Sequence, residues 1–186
     1  MSRTFKLTVP EWVLLGGVTL ILATLCMAGL MALRLKHSYQ AVQNDLVAVS
    51  RACQLFFDEY GYWPTDRESD YGDARYGREH ANSLVMNALR AISGPGNYNH
   101  TRNPGKIIFL EAGTWQRGRS GLDREGRFLD AWGTPYQMVL DADLNNRCEF
   151  EHSIYRPLKN AGVALWSCGP DRISDTSDDL LSWKQE

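Results

Sequence analysis

The sequence predicts an α+β protein: one long N-terminal helix, apolar at first and amphipathic beyond, followed by a small globular head with a short antiparallel sheet. Three observations predict it. Residues 12–33 carry no charge and are rich in Leu, Val, Ile, Ala and Met. A helical spacing of apolar residues then runs on to Tyr60 without a breaker. From Asp130 onward the texture changes to brief apolar runs between turn residues.

The uncharged run is 22 residues long, and about 20 apolar residues of helix cross the hydrocarbon of a bilayer. Arg3 and Lys6 precede it, as they would in a secretory signal. The run is long for a signal, however, no Ala-x-Ala site closes it, and a helical pattern continues out of it.

In that continuation Val42, Leu46, Val49, Cys53, Phe56 and Tyr60 recur at steps of four and three, which places them on one helix face. Asn44, Asp45, Arg51 and Asp58 fall mainly elsewhere. Gly and Pro are absent from Leu30 to Tyr60, so one rod from Trp12 to Tyr60 is expected, roughly 73 Å long at about 1.5 Å per residue. Gly61 and Pro64 end it. The expected organisation is a leader-like segment at 1–11, a transmembrane helix at 12–33, its amphipathic continuation at 34–60, and an extracytoplasmic head at 61–186.

Within the head, residues 65–80 read as an ordered polar loop. Leu84, Val85, Ala88, Leu89 and Ile92 mark a second, shorter helix closed by Ser93-Gly94-Pro95-Gly96. Residues 106–110 suit a strand or a short helical turn. The runs 135–140, 153–155 and 163–167 read as a small antiparallel sheet laid over the apolar stripe of the first helix. Trp132, Gly133, Pro135 and Tyr136 are expected to form a packed corner joining the helical part of the head to this sheet, with Trp132 at least partly buried.

Charge and motifs narrow the function. The 186 residues hold 20 Lys and Arg against 22 Asp and Glu. The first 40 contain four of the bases and only Glu11 among the acids, leaving 16 bases against 21 acids in the rest. An acidic domain with interleaved bases has no electrostatic footprint for nucleic acid. Catalytic signatures such as GxSxG, HExxH or a phosphate-cradling Gly-rich loop are absent, and His37, His80, His100 and His152 are scattered. A non-catalytic role follows.

Two acidic loops have the oxygen-ligand character that suits calcium. Asp141-x-Asp143-x-Asn145 opens like an EF-hand loop, although Asn146 stands where the sharp turn wants Gly and His152 where a bidentate Glu would close the site. Asp171, Asp175, Asp178 and Asp179 crowd nine residues near the C-terminus. Of the four cysteines, Cys26 lies in the apolar run and Cys53 on the helix's apolar face. Cys148 and Cys168 flank candidate strands, as one disulfide or as two buried thiols. Thr8 and Glu11 read as the N-cap and third helical residue of a capping box.

Several segments together resemble the type IV pilin-like proteins, and in particular the major pseudopilins of type II secretion systems. They are 7–11 before the apolar run, Tyr60-Gly61-Tyr62-Trp63-Pro64, 103–111, Asp130-Ala131-Trp132-Gly133-Thr134-Pro135-Tyr136, Trp166-Ser167-Cys168-Gly169-Pro170-Asp171, and the pair Asp178-Asp179. The resemblance covers nearly the whole chain, and its C-terminal compound pattern is the most specific part.

It implies a structural subunit of a short periplasmic filament that packs through its N-terminal helix. The implied partners are copies of itself, other pseudopilin-like subunits, the inner-membrane secretion platform and the lipid bilayer. It also implies the bacterial inner membrane with the N-terminus in the cytoplasm and the head in the periplasm, calcium at the C-terminal loop, and an assembly role for Glu11. The chain departs from the family's processing motif: Lys6 stands where Gly belongs and Leu7 where Phe belongs. An N-terminus left uncut or cut inefficiently is therefore expected. The readings that compete with a filament subunit are an uncleaved pilin-like assembly factor and a membrane-tethered ligand-binding or sensor module.

Overall fold

A computed structural model describes residues 8–65, 72–150 and 155–183. Helix α1 spans Val9–Tyr60, 52 residues, and continues through Lys36–Tyr39 without a break. The chain divides into two compact units, Met1–His37 and Ser38–Glu186. The second half of α1 therefore groups with the globular unit.

In the first unit, Val13, Leu14, Leu20, Leu25, Met31 and Leu33 are all exposed. The helix is long and apolar enough to cross a membrane. Its two interior hydroxyls need no water: Thr19 donates to the Gly16 carbonyl at 2.9 Å and Thr24 to that of Ile21 at 2.8 Å.

In the second unit the stripe inverts this pattern. Val42, Leu46, Val49, Cys53 and Phe56 are essentially inaccessible, as the spacing of four and three predicts. They share one core with Val85, Met86 and Leu89 of α2 (Ser83–Leu89) and with Tyr76, Met138, Leu140 and Leu165 of the sheet. The sheet thus covers the stripe. Gly61, at φ 74°, caps the helix by donating to the Phe57 carbonyl at 2.7 Å.

The main sheet has four antiparallel strands in the order β1-β4-β7-β8, namely Ala74–Tyr76, Gln137–Leu140, Val163–Ser167 and Leu180–Leu181. Two small hairpins flank it: β2 (Gly121–Leu122) with β3 (Phe128–Leu129), and β5 (Arg147–Cys148) with β6 (Leu158–Lys159). β4 and β7 match the expected runs. β1 corrects the reading of 65–80 as loop alone: its three residues alternate in burial on a sheet edge, too few to stand out from a polar stretch. β8 lies just beyond the acidic pair Asp178-Asp179, and its two residues are likewise too few to carry a pattern.

The expected run 153–155 yields no strand among the described residues: residues 153 and 154 fall outside them, and Tyr155 sits in a bend. Residues 106–110 form neither strand nor helix. Phe109 and Leu110 instead donate their amides to the Leu89 carbonyl at the end of α2.

Three fully buried asparagines stitch the loops to this core. Asn103 uses its whole amide: Nδ2 donates to the Ala88 and Ile107 carbonyls, and Oδ1 accepts from Tyr60 and from the Ile107 amide. Asn82 joins α2 to β3 and to Tyr136, and Asn97 holds the turn between.

Candidate functional site

At the N-terminus Glu11 Oε2 accepts from the Thr8 amide at 2.6 Å and from its hydroxyl at 2.8 Å. The first α1 bond runs from the Trp12 amide to the Thr8 carbonyl. This is the reaching-back half of a capping box. Lys6 and Leu7, the departures from the processing motif, lie outside the described residues.

The corner at 130–136 is built around a residue not singled out for it. Asp130, fully buried, accepts from the Trp132 and Thr134 amides through Oδ1, at 2.9 and 2.8 Å, and from the Ser167 hydroxyl through Oδ2 at 2.6 Å. Its own amide donates to the Thr134 carbonyl. Burial pushes its carboxyl above the usual range against these hydrogen bonds. Gly133 has φ 88°, and a Cβ there would press the Trp115 ring, whose Nε1 donates to the Asp130 carbonyl. Only glycine serves at that point.

The corner joins the β2–β3 hairpin to β4, and Leu129 bridges Pro135. It does not join a helix to the sheet as expected, because the β2–β3 hairpin lies between α2 and β4 in the chain. Trp132 is partly buried, edge-on to Tyr39 at 5.2 Å. The deeper anchor is Tyr136, 1% exposed and stacked on Phe128. Its hydroxyl donates to Asp45 Oδ2 at 2.9 Å, where the Ser120 hydroxyl donates too. Burial raises the Asp45 carboxyl, opposed by these two bonds. Asp45 is thus the polar tie between α1 and the corner.

The C-terminal loop gathers a carboxylate oxygen from each of Asp171, Asp178 and Asp179 within 4.8 Å. Asp175 is not in the group; its amide donates to Asp179 Oδ2 at 2.9 Å. Protein donors already serve the loop. Asp178 accepts from the Thr176 hydroxyl and the Asp171 amide, and these bonds hold its carboxyl below the usual range. Asp179 accepts from Thr176 and Tyr155, while burial pushes it up.

The other loop gathers Asp141 and Asp143 with Asp73, which sequence reading missed. Asn145 acts there as a donor: its amide bonds Asp141 Oδ1 and Asp143 Oδ1, and its Nδ2 bonds Asp143 Oδ2. The signal for Asp73 is long-range, since the pairing of Ala74 with Leu140 brings residue 73 beside residue 141.

No disulfide joins Cys148 and Cys168; both are free and buried. Cys148 directs its thiol at the Ala161 and Val139 carbonyls, and burial pushes the Cys168 thiol up to about 12. Cys53, also buried, is a core residue, and burial raises its thiol to about 12. A concavity of about 520 Å³ lies over the sheet face, lined in part by Arg75, Arg78, Glu79, Trp166 and Asp175.

Comparison with protein-family models, curated proteins and solved structures finds no match.

Proposed function

We propose that this chain is a membrane-anchored, non-catalytic structural subunit of a pilin-like filament, of the kind that supports type II protein secretion. One observation carries the reading. The helix that displays an unbroken apolar surface over its first half continues, in the same hydrogen-bonded element, into the core stripe of a small antiparallel-sheet unit. A helix of this kind suits lateral packing with copies of itself in and above a bilayer. The motif resemblance at 60–64, 130–136 and 166–179 supports the choice of family.

On this reading the N-terminus lies in the cytoplasm and the globular unit in the periplasm. The partners are like subunits and the inner-membrane secretion platform. The C-terminal loop holds calcium through Asp171, Asp178 and Asp179. Lys6 in the cleavage motif favours an uncut chain, and with it the variant reading of an assembly factor.

Crosslinking in native membranes tests the proposal. Ladders of like subunits are expected. A chain that stays monomeric while carrying a tightly held foreign ligand would replace the filament reading with a tethered binding module, which the concavity beside Arg75 and Arg78 would then serve.

A further inference from the structure

We infer that Asp73, Asp141 and Asp143 form a calcium site at the open end of the β1–β4 pair, separate from the C-terminal loop and independent of the filament reading. The site is made by strand register. Ala74 pairs with Leu140, the first residue of β1 against the last of β4. The next residue outward on each strand is therefore an aspartate, and the two face each other where the ladder ends.

The turn after β4 then brings in the third. Leu144 and Asn146 adopt positive φ, 57° and 66°, while Asp141 accepts from the Asn145 and Asn146 amides at 2.9 and 2.8 Å. This tight turn places Asp143 beside the pair, and one carboxylate oxygen from each of the three residues lies within 4.8 Å of the others. Two oxygens on opposite sides of a calcium ion, each at about 2.3–2.6 Å, are separated by about that distance.

A second observation points to a ligand. Asp73 is 9% exposed, and its Oδ2 accepts from the Glu149 amide at 2.5 Å. Its Oδ1 is sealed from solvent and receives no donor. An ionised oxygen in that state is costly, and buried polar atoms without a partner are rare in folded proteins.

Among the described residues no ion pair reaches the group; Arg127 pairs with Asp123 and Glu125. Arg75, the nearest base along β1, places Nη2 on the Glu149 carbonyl. Burial, then the charges of Asp143, Asp141 and Glu149, push the Asp73 carboxyl up to about 6. Three carboxylates at this separation repel, and a hard cation between them relieves the repulsion. The C-terminal loop differs here, because among the described residues no oxygen of Asp171, Asp178 or Asp179 is sealed from solvent without a partner.

The donor set chooses the metal. It is all oxygen, which selects calcium, magnesium or manganese over zinc. Cys148, on the neighbouring β5, directs its thiol at the Val139 and Ala161 carbonyls. Calcium accepts the irregular geometry of a turn and completes its shell with water, whereas magnesium demands a near-ideal octahedron.

Calorimetric titration of the full chain in mild detergent with calcium chloride tests the site, using Asp73→Asn, Asp143→Asn and Asp178→Asn beside the parent. The site predicts a binding heat in the parent that Asp73→Asn and Asp143→Asn each weaken at least tenfold and Asp178→Asn leaves in place. Near-UV circular dichroism checks that each variant is folded. Should Asp73→Asn fail that check, Asp143→Asn, which is only partly buried, decides alone. No heat in the parent, an unchanged heat in Asp143→Asn, or loss of the same heat in Asp178→Asn would overturn the inference. A second heat, lost only in Asp178→Asn, would support the C-terminal loop without touching this site.

Discussion

Replacing Asp130 by Ala and by Asn separates what its hydrogen bonds contribute from what its charge costs. The carboxylate accepts from two backbone amides and one fully buried hydroxyl. Hydrogen bonds to a charged acceptor are worth about 1.5–3 kcal/mol each. Partial rehydration of the two amides and relief of a buried charge offset part of the loss, so Asp130→Ala should cost about 3–5 kcal/mol. Asn keeps one oxygen for both amides and strands only the Ser167 proton, so Asp130→Asn should cost about 1–2 kcal/mol. Urea denaturation of detergent-solubilised protein, followed by near-UV circular dichroism, measures both. The pH dependence gives a second readout. Because burial raises the folded-state carboxyl above its unfolded value, the folded state takes up the proton first. Stability relative to Asp130→Asn should therefore rise as pH falls from neutral through the folded-state value, and level off below the unfolded value near 3.8. Equal losses for Ala and Asn, or an Ala variant within about 1 kcal/mol of the parent, would refute Asp130 as the organiser of the corner.

Gly162→Ala should destabilise by about 1–3 kcal/mol through overpacking, because an added Cβ would overlap the Trp63 ring; an unchanged urea midpoint would contradict that packing. Tyr136→Ala should cost about 3–5 kcal/mol and Trp132→Ala about half as much, since Tyr136 is fully buried and Trp132 only partly so; the reverse order would refute the placement of the anchor. Intact mass of protein taken from its native membrane should retain residues 1–6, given Lys6 at the cleavage position; a mass lacking them would show that the leader is processed after all.

Local signals were the legible ones. The steps of four and three from Val42 to Phe56 named every deeply buried residue of that stripe but Ala52, whose small side chain gave no signal. Val163–Ser167 was readable because a short apolar run, Val163 to Trp166, stands there between turn residues. β1 and β8 were not, since two or three residues on a sheet carry no periodicity of their own. The buried asparagines were also hidden. A polar residue in a polar stretch reads as surface, and Asn103 becomes core only when Tyr60, Ala88 and Ile107 arrive around it.

The acids show the same division between local and distant information. Asp141 and Asp143 were readable as a pair because a turn is local, but two carboxylates in an open turn are ordinary solvated groups. What changes their character is Asp73, more than sixty residues earlier, and it arrives through a strand that the sequence did not announce. Shifting β1 by one residue against β4 would turn its alternate side chains to the other face of the sheet, exposing Ala74 and Tyr76, which are now buried. Core packing of those two residues therefore fixes where Asp73 stands. The same register that closes the apolar core leaves three acids facing one another at the end of the ladder, with no ion pair among the described residues reaching them. In this protein the position of the candidate metal site is a consequence of core packing, which is why the loop's own sequence was insufficient to find it.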